Sequence, residues 1–307
     1  MDHLRATGRT LACVVLMMLA CGPGSCETAL DQARKRAAGY LAIEVPRWKK
    51  ENGCYSCHNN GDAARALMAA GRRSELEDTL RWLANPVEWN QQQSDAPFRD
   101  KGLARIQFSL ALAEAVERGL IADRAPLEQS ARELVRLQND DGSWTVEDEA
   151  NVGSPATYGS PLATYAVLRV LKVANSKDFA EARERSGKWM SAGRSAATVD
   201  RAARVLSAGL QERGALGDRQ QLEAAQNPDG GWGPYRASPS EVFDTAIALM
   251  ALGRTGDGRA LAKGRDYLLR TQLPGGGWPA TTRPSGVASY AQQISTTGWA
   301  LLALSQE

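Results

Sequence analysis

The residues whose types and spacing suggest chemistry are Cys54, Cys57 and His58, which stand in the order Cys-x-x-Cys-His. Outside the bacterial cytoplasm, two thiols at this spacing add to the vinyl groups of a haem, and the following imidazole becomes an axial ligand of the iron. His58 is the only histidine after His3, and no cysteine follows Cys57. The motif therefore predicts a covalently bound haem c with His58 as the proximal iron ligand.

Three other uses of these residues stay open at this stage. Cys54 and Cys57 could form a small disulfide, which leaves His58 unexplained. A zinc site could use all three side chains, with Cys26 or an acid as the fourth ligand that tetrahedral zinc requires. A thioredoxin-like redox pair would need a surrounding βαβ pattern, and the sequence has none.

The motif does not specify the sixth ligand of such a haem iron. Met190 and Met250 are candidates from distant parts of the chain, although methionine more often serves in packing. An axial Met would favour electron transfer at a raised potential, and a vacant position would favour ligand binding or oxidative chemistry. Ligation by two histidines of one chain is excluded, because no second histidine follows His58.

Residues 1–22 have the composition of an export signal. Arg5 and Arg9 precede an apolar run over residues 11–20, and small residues follow it. A run of this length fits a signal peptide and is too short to span a bilayer. We therefore expect the mature protein in the periplasm or cell envelope, as a single domain over residues 27–307.

The signal also allows an alternative cleavage. Met18-Leu19-Ala20-Cys21 resembles a lipobox with a bulky residue at an unusual place. In this interpretation Cys21 carries a lipid, and the protein is attached to a membrane. Ordinary cleavage after Gly22 is the competing expectation.

Composition limits the class of partner. The chain of 307 residues has 37 Lys and Arg against 35 Asp and Glu, a net charge of +2. This balance lacks the basic excess of a nucleic-acid-binding protein, so we expect no nucleic-acid partner. With 43% hydrophobic and 23% charged residues, the chain has the composition of an ordinary folded protein.

A repeat of about 45 residues organises the rest of the chain. Three segments read Leu, three residues, Gln, three residues, Gly, any residue, Trp; they contain Gln138 and Trp144, Gln226 and Trp232, and Gln272 and Trp278. The tryptophans are 88 and 46 residues apart, about two units and one unit, so one degenerate copy lies between the first two, near residues 189–190. Residues 62–71 (DAARALMAAG) and 244–253 (DTAIALMALG) are two copies of one helix.

Two kinds of helical stretch alternate along the chain. Six are rich in Ala and Leu, near residues 62–71, 107–118, 156–173, 200–210, 244–253 and 295–304. Six more polar ones precede them, near residues 28–45, 74–85, 125–138, 178–192, 216–226 and 259–272. An apolar helix is surrounded by neighbours, and an amphipathic one shows a face to water. The pattern predicts an all-α fold of about six helical hairpins in two concentric layers, an α/α toroid; an open solenoid has the same periodicity.

The last repeat resembles a known family. Its residues Lys263-Gly264, Tyr267-Leu268, Gln272, Gly276 and Trp278 are similar to the QW repeat of squalene-hopene cyclases, whose fold is shared by the β-subunits of protein prenyltransferases. The resemblance covers roughly residues 28–307 and implies a terpenoid cyclase/prenyltransferase-like toroid. In that family Gln and Trp tie the end of an outer helix to the start of the next inner helix. We therefore expect the three tryptophans to be structural braces.

The resemblance does not extend to the catalytic residues of these families. The cyclases protonate their substrate with an Asp-x-Asp-Asp acid, and this chain has no such tetrad. The prenyltransferases bind zinc through Asp, Cys and His in later repeats, and here no Cys or His follows His58. Neither family's activity is expected, and the sequence leaves open whether the protein is an enzyme.

Three hypotheses for function follow. In the first, an exported c-type haem toroid transfers electrons or docks a redox partner protein. In the second, a haem oxidoreductase acts on an apolar, terpenoid-like molecule held in the central cavity. In the third, the toroid is a non-catalytic, cyclase-like binding module without haem.

Overall fold

The computed structural model describes residues 27–91, 101–146, 159–211, 214–253, 256–281 and 290–306. The helices in these ranges are α1 (Ala29–Asn52), α2 (Ala64–Ala69), α3 (Glu77–Leu83), α4 (Lys101–Glu117), α5 (Ala125–Arg136), α6 (Ser160–Ala174), α7 (Ala180–Ala192), α8 (Thr198–Leu210), α9 (Leu216–Glu223), α10 (Val242–Leu252), α11 (Gly258–Thr271) and α12 (Tyr290–Leu304). A π-helical segment, Cys57–Ala63, leads directly into α2. These ranges contain no strand beyond one isolated bridge between Trp232 and Glu241.

The even-numbered helices form a closed inner ring. α2 with its π-helical segment, α4, α6, α8, α10 and α12 each pack against the next, and α12 packs back onto the first. The odd-numbered helices lie outside them, and α11 also contacts α1. The predicted all-α toroid of six helical hairpins in two layers is therefore confirmed, and the ring closes rather than continuing as an open solenoid.

Burial explains the two compositions seen in the sequence. Ten of the eleven residues of α10, an inner helix, are buried. In the fourteen-residue outer helix α11, the buried residues are Ala260, Gly264, Tyr267 and Leu268. An inner helix therefore needs small and apolar residues on nearly every side, whereas an outer helix needs a single apolar stripe.

The three repeated tryptophans make one recurring contact. Each indole is buried, and its N–H donates to the carbonyl of the Leu ten residues earlier, on the outer helix of its own repeat. The bonds are Trp144 to Leu134 at 2.7 Å, Trp232 to Leu222 at 2.7 Å and Trp278 to Leu268 at 2.8 Å. The indole thereby satisfies a carbonyl near a helix end while its ring fills space between the layers.

The three repeated glutamines link neighbouring outer helices. Each side-chain N–H₂ donates to a glycine carbonyl in its own turn and to a carbonyl on the next outer helix. The second acceptors are Ala182 for Gln138, Ala260 for Gln226 and Ala33 for Gln272, at 2.8 to 2.9 Å. The turn needs glycine: at Gly276 φ is +94°, and a Cβ would lie 2.5 Å from the carbonyl oxygen of Arg36.

The two copied helices differ at their starts. Residues 244–252 belong to a regular α-helix, whereas the first two residues of the other copy, 62 and 63, are the end of the π-helical segment over residues 57–63. Within the part of the chain that the structure describes, no helix has the length and apolar character to cross a membrane. The export signal over residues 1–22 and Cys21 lie outside that part.

Candidate functional site

A buried carboxyl group lies where three inner helices meet. Asp62, near the end of the π-helical segment, is fully buried. Its Oδ2 accepts hydrogen bonds from Gln107 Nε2 at 2.8 Å, Ser295 Oγ at 2.8 Å and Trp299 Nε1 at 3.2 Å. Gln107 belongs to α4 and the other two donors to α12, so this one oxygen joins the two neighbours of its own helix.

The other oxygen of Asp62 is in a different situation. Oδ1 is buried and accepts no hydrogen bond from the described residues. The nearest cation, Arg65, has its Nη1 3.6 Å away. Nε of Arg65 donates to Oε1 of Glu114 at 3.0 Å, and Nη2 forms an ion pair with the same oxygen at 2.9 Å, so much of this positive charge is compensated. One oxygen is thus held by donors and the other is available to carry a proton.

Burial sets the protonation of this carboxyl. It raises the pKa of Asp62 above the ordinary 3.8, because the charged form loses the solvation of water. The charge of Arg65 and the three hydrogen bonds act in the opposite direction, with smaller effect. Asp62 therefore holds a proton at a higher pH than an exposed aspartic acid.

Aromatic residues belong to the same cluster as the carboxyl. The guanidinium of Arg65 lies 4.9 Å from the ring centroid of Trp299, over its face. Phe243 packs edge-on against the same indole, with ring centroids 5.7 Å apart at 87°. Tyr165, buried on α6, has a pKa raised by burial and also lies within the field of Arg65. The cluster thus combines one acid with aromatic faces that attract positive charge.

The π-helical segment results from local hydrogen bonding. The Ser56 hydroxyl accepts from the backbone N–H groups of His58 and Asn59, and the Asn60 side chain accepts from the N–H of Ser56 at 3.0 Å. At Gly61 a Cβ would lie 3.1 Å from Cβ of Gln107, so glycine lets α4 approach closely. π-Helical turns occur frequently at functional sites. Here the segment places Asp62 between α4 and α12.

The three residues of the Cys-x-x-Cys-His motif lie at the start of the same segment. Cys54 is buried, with the Trp48 N–H directed at its sulfur at 3.4 Å, and the Cys57 sulfur lies 3.4 Å from Nδ1 of His58. Neither sulfur is in a disulfide. His58 is buried, its Nε2 has no hydrogen-bond partner in the described residues, and burial lowers the pKa of its imidazole to about 4.

The methionines considered as sixth ligands lie on two different layers. Met190 is buried on the outer helix α7, and Met250 is half-buried at the inner helix α10. Both pack against the apolar core. The structure does not bring either of them together with His58 in a described contact.

The fold is that of terpene cyclases. Solved structures similar to this chain include the type II terpene cyclase MstE from Scytonema, with a TM-score of 0.61 and 14% identity over 90% of this chain and 97% of that one. A variant of MstE in complex with geranylgeranyl dihydroxybenzoate gives a TM-score of 0.60 at 14% identity, covering 90% and 96%. A glycosidase in complex with glucose gives a TM-score of 0.61 at 12% identity, covering 91% and 98%. These likenesses define the class, an α/α toroid of the terpene cyclase type.

Sequence comparison adds two particular relatives. Drimenyl diphosphate synthase from Streptantibioticus cattleyicolor is 41% identical over 66 residues, which are 21% of this chain and 12% of that protein. Its counterpart from Streptomyces showdoensis is 40% identical over 68 residues, 21% of this chain and 13% of the relative. The matched segment spans about an eighth of the relatives' length. No family model matches the chain.

The expectation of a haem c at Cys54, Cys57 and His58 is wrong, and so are the electron-transfer and haem-oxidoreductase functions built on it. The proteins to which this chain is similar in fold or in sequence include terpene cyclases and drimenyl diphosphate synthase, and none of them is described with a haem. Within the described ranges, no group of three His, Cys, Asp or Glu side chains could hold a metal ion. A five-residue motif outweighed the repeat in that interpretation.

Sequence reasoning missed the acid cluster. In the sequence Asp62 is only a marker of the repeat, and Arg65 and Glu114 belong to no recognisable motif. A signal existed, because Arg65 stands where the copied helix has the apolar Ile247. A charge at an apolar position of a repeat indicates a buried ion pair or a site, and here it marks both.

Proposed function

We propose that the protein binds an apolar, terpenoid-class molecule within the helical ring and transfers a proton to it from Asp62. The observation that carries the proposal is the asymmetry of this carboxyl. Oδ2 accepts three hydrogen bonds, whereas Oδ1 accepts none from the described residues. In a neutral carboxylic acid Oδ2 then acts as the carbonyl oxygen and Oδ1 carries the proton.

The proposed step separates charge, and the cluster stabilises the carboxylate that forms. The proton passes from Oδ1 of Asp62 to a carbon of a C=C bond, whose π electrons form the new C–H bond and leave a carbocation. The carboxylate that remains keeps its three hydrogen bonds and the nearby Arg65 charge. Return of a proton from a neighbouring carbon to the carboxylate completes an isomerisation or cyclisation without an oxidant.

The relatives support a terpenoid ligand, and the chemistry of the cluster agrees. MstE is described with geranylgeranyl dihydroxybenzoate as substrate and merosterolic acid A as product. Glycosidases share the fold, so the fold alone does not distinguish terpenoid cyclisation from glycoside hydrolysis. Glycoside hydrolysis needs a second carboxyl group free to act. Glu114, the carboxylate paired with Arg65, is instead held by a hydrogen bond from Nε and an ion pair with Nη2.

The test is turnover of terpenoid substrates in heavy water. The mature protein is incubated with farnesyl diphosphate, geranylgeranyl diphosphate or squalene in D₂O, and products are analysed by gas chromatography and mass spectrometry after removal of any diphosphate. We expect a cyclic or isomerised product with one carbon-bound deuterium. Asp62→Asn should lower the rate at least about 100-fold, since general acids contribute that much.

Asp78→Asn is the matched control, because Asp78 is a surface carboxylate paired with Lys49 and Arg81. It should leave turnover unchanged. A product formed equally well by Asp62→Asn, or formed without deuterium, would rule out Asp62 as the acid. If none of the three substrates reacts and none binds by calorimetry, the terpenoid proposal itself is wrong.

A further inference from the structure

A groove of about 650 Å³ opens on the outside of the toroid, between the outer helices α7 and α9. α8 forms its floor through Arg201 and Arg204. The loop after α7 supplies Arg194, and the first turn of α9 supplies Asp218. A smaller cavity of about 120 Å³ shares Arg204 and Asp218 with it and adds Ser207. The groove lies outside the ring, on residues that the Asp62 cluster does not use.

The groove exists where the repeat is degenerate. In the three intact repeats, a Gln at the end of one outer helix bonds to the next outer helix, and a buried Trp follows it. α7 is followed by residues 193–197, Gly-Arg-Ser-Ala-Ala, which contain neither residue. α9 is also short, with eight residues. The space that Trp232 occupies beneath Gly264 in the next repeat is therefore not filled by an indole here.

Positive charge and unsatisfied donors line this space. Nε and Nη2 of Arg204 pair with the two carboxylate oxygens of Asp218 at 2.9 and 2.8 Å. Arg194 and Arg201 donate to backbone carbonyls, and neither has a carboxylate partner among the described residues. The described walls thus carry three arginines and one aspartate.

Two buried donor atoms, one at the groove and one at the smaller cavity, have no partner in the described part of the chain. Nε of Arg201 lines the groove, and Oγ of Ser207, in a residue that is 1% exposed, lines the smaller cavity. Buried donors are almost always satisfied, so a pair of unsatisfied ones beside a cavity indicates a missing acceptor. The first turn of α9, which also lines the groove, has no side-chain cap for its backbone N–H groups.

We infer that this groove binds a small molecule through an oxyanion group, a phosphate or a carboxylate. Arginine presents paired N–H donors that match the oxygens of either group. The volume lies within the range of small-molecule sites. The Arg204–Asp218 pair fixes one wall, and Arg194 and Arg201 supply the charge that an anion would neutralise. The inference does not depend on the chemistry proposed for Asp62.

The test is isothermal titration calorimetry of the mature chain at constant ionic strength, with sodium phosphate, sodium pyrophosphate and sodium citrate as the probes. We expect saturable binding of one equivalent of at least one probe. Arg201→Gln should weaken that binding about tenfold or more, since it removes charge-assisted hydrogen bonds. Gly214→Glu should do the same by adding a carboxylate at the groove, where a Cβ meets nothing within 4 Å.

Two controls carry the same chemical changes elsewhere. Arg132→Gln removes an exposed arginine that pairs with Glu128 on α5, and Gly258→Glu adds a carboxylate where a Cβ is equally uncrowded. Both should bind the probe as the parent chain does. Phosphate binding without citrate binding assigns a phosphate ligand, and the reverse assigns a carboxylate. If the heats do not saturate for any of the three probes, the inference is wrong. It is also wrong if Arg201→Gln and Gly214→Glu bind the probe with the same affinity as the parent chain.

Discussion

The indole N–H of Trp299 lies 3.2 Å from Oδ2 of Asp62, although the two residues are 237 positions apart in the chain. This bond joins the last inner helix to the first. The closure of the ring and the setting of the buried acid therefore depend on the same contact. Ser295, one turn earlier on α12, donates to the same oxygen.

Removing the indole N–H of Trp299 should weaken both the closure of the ring and the hydrogen bonding of Asp62. Trp299→Phe keeps an aromatic ring near Phe243 but leaves Oδ2 of Asp62 with one donor fewer. We expect a loss of about 1 kcal/mol in the free energy of unfolding, the usual worth of such a bond. Urea unfolding followed by circular dichroism measures it. Trp48→Phe is the control, because its indole is half-buried and its N–H is directed at a sulfur; this variant should lose less free energy of unfolding. Equal losses in the two variants would contradict a stabilising hydrogen bond between Trp299 and Asp62.

The stability contributed by Asp62 should depend on pH in a definite direction. Its folded-state pKa is raised above the ordinary 3.8, so its contribution is fully present below pH 3.8 and is lost as the pH rises through the folded value. Asp62→Asn cannot ionise. Measured by urea unfolding from pH 4 to 8, the stability of the parent chain relative to this variant should fall as the pH rises. A constant difference would show that the pKa of Asp62 is not raised.

The contribution of His58 to folding stability should depend on pH in the opposite direction to that of Asp62. Burial lowers its pKa from 6.5 to about 4, so the stability that it contributes is present above pH 6.5 and is lost as the pH falls through about 4. A shift of this size corresponds to about 3 kcal/mol at most. His58→Phe should flatten the decline in stability between pH 7 and pH 4 relative to the parent. Since no other histidine follows His3, an unchanged slope would contradict burial of a neutral imidazole.

The Gln272 side chain should be important for joining the two ends of the outer layer. Its N–H₂ group donates to the carbonyls of Gly276 and Ala33, which links α11 to α1. Gln272→Ala should lower the free energy of unfolding by about 1 to 3 kcal/mol, because two buried carbonyls lose a donor. Gln220→Ala, at an exposed position on α9, is the control and should cost less than about 0.5 kcal/mol. Thermal and urea unfolding compare the two variants.

Local regularities in the sequence were enough to predict the fold. The 45-residue spacing of Gln and Trp, and the alternation of apolar and amphipathic stretches, depend on contacts that recur identically in each repeat. Such contacts can be recognised in the amino-acid sequence because the same residue types recur at the same interval. The twelve helices and their two layers could therefore be predicted before any coordinates were known.

The candidate site could not be predicted in this way, because the contacts that make it do not recur in the other repeats. The partners of Asp62 are 45 and 233 residues away at Gln107 and Ser295, and only closure of the ring brings them to one carboxylate. The Cys-x-x-Cys-His motif was the strongest local signal, and it predicted the wrong function.

The sequence by itself determined the helices, their order and the braces between them, since each follows from neighbouring residues and their period. The tertiary structure decided that the ring closes, that one acid is buried among donors from two other helices, and that a missing Gln and Trp leave a basic groove. The physical reason is that burial and charge compensation depend on every element around a group. Those elements are distant in sequence and meet only when the chain is folded.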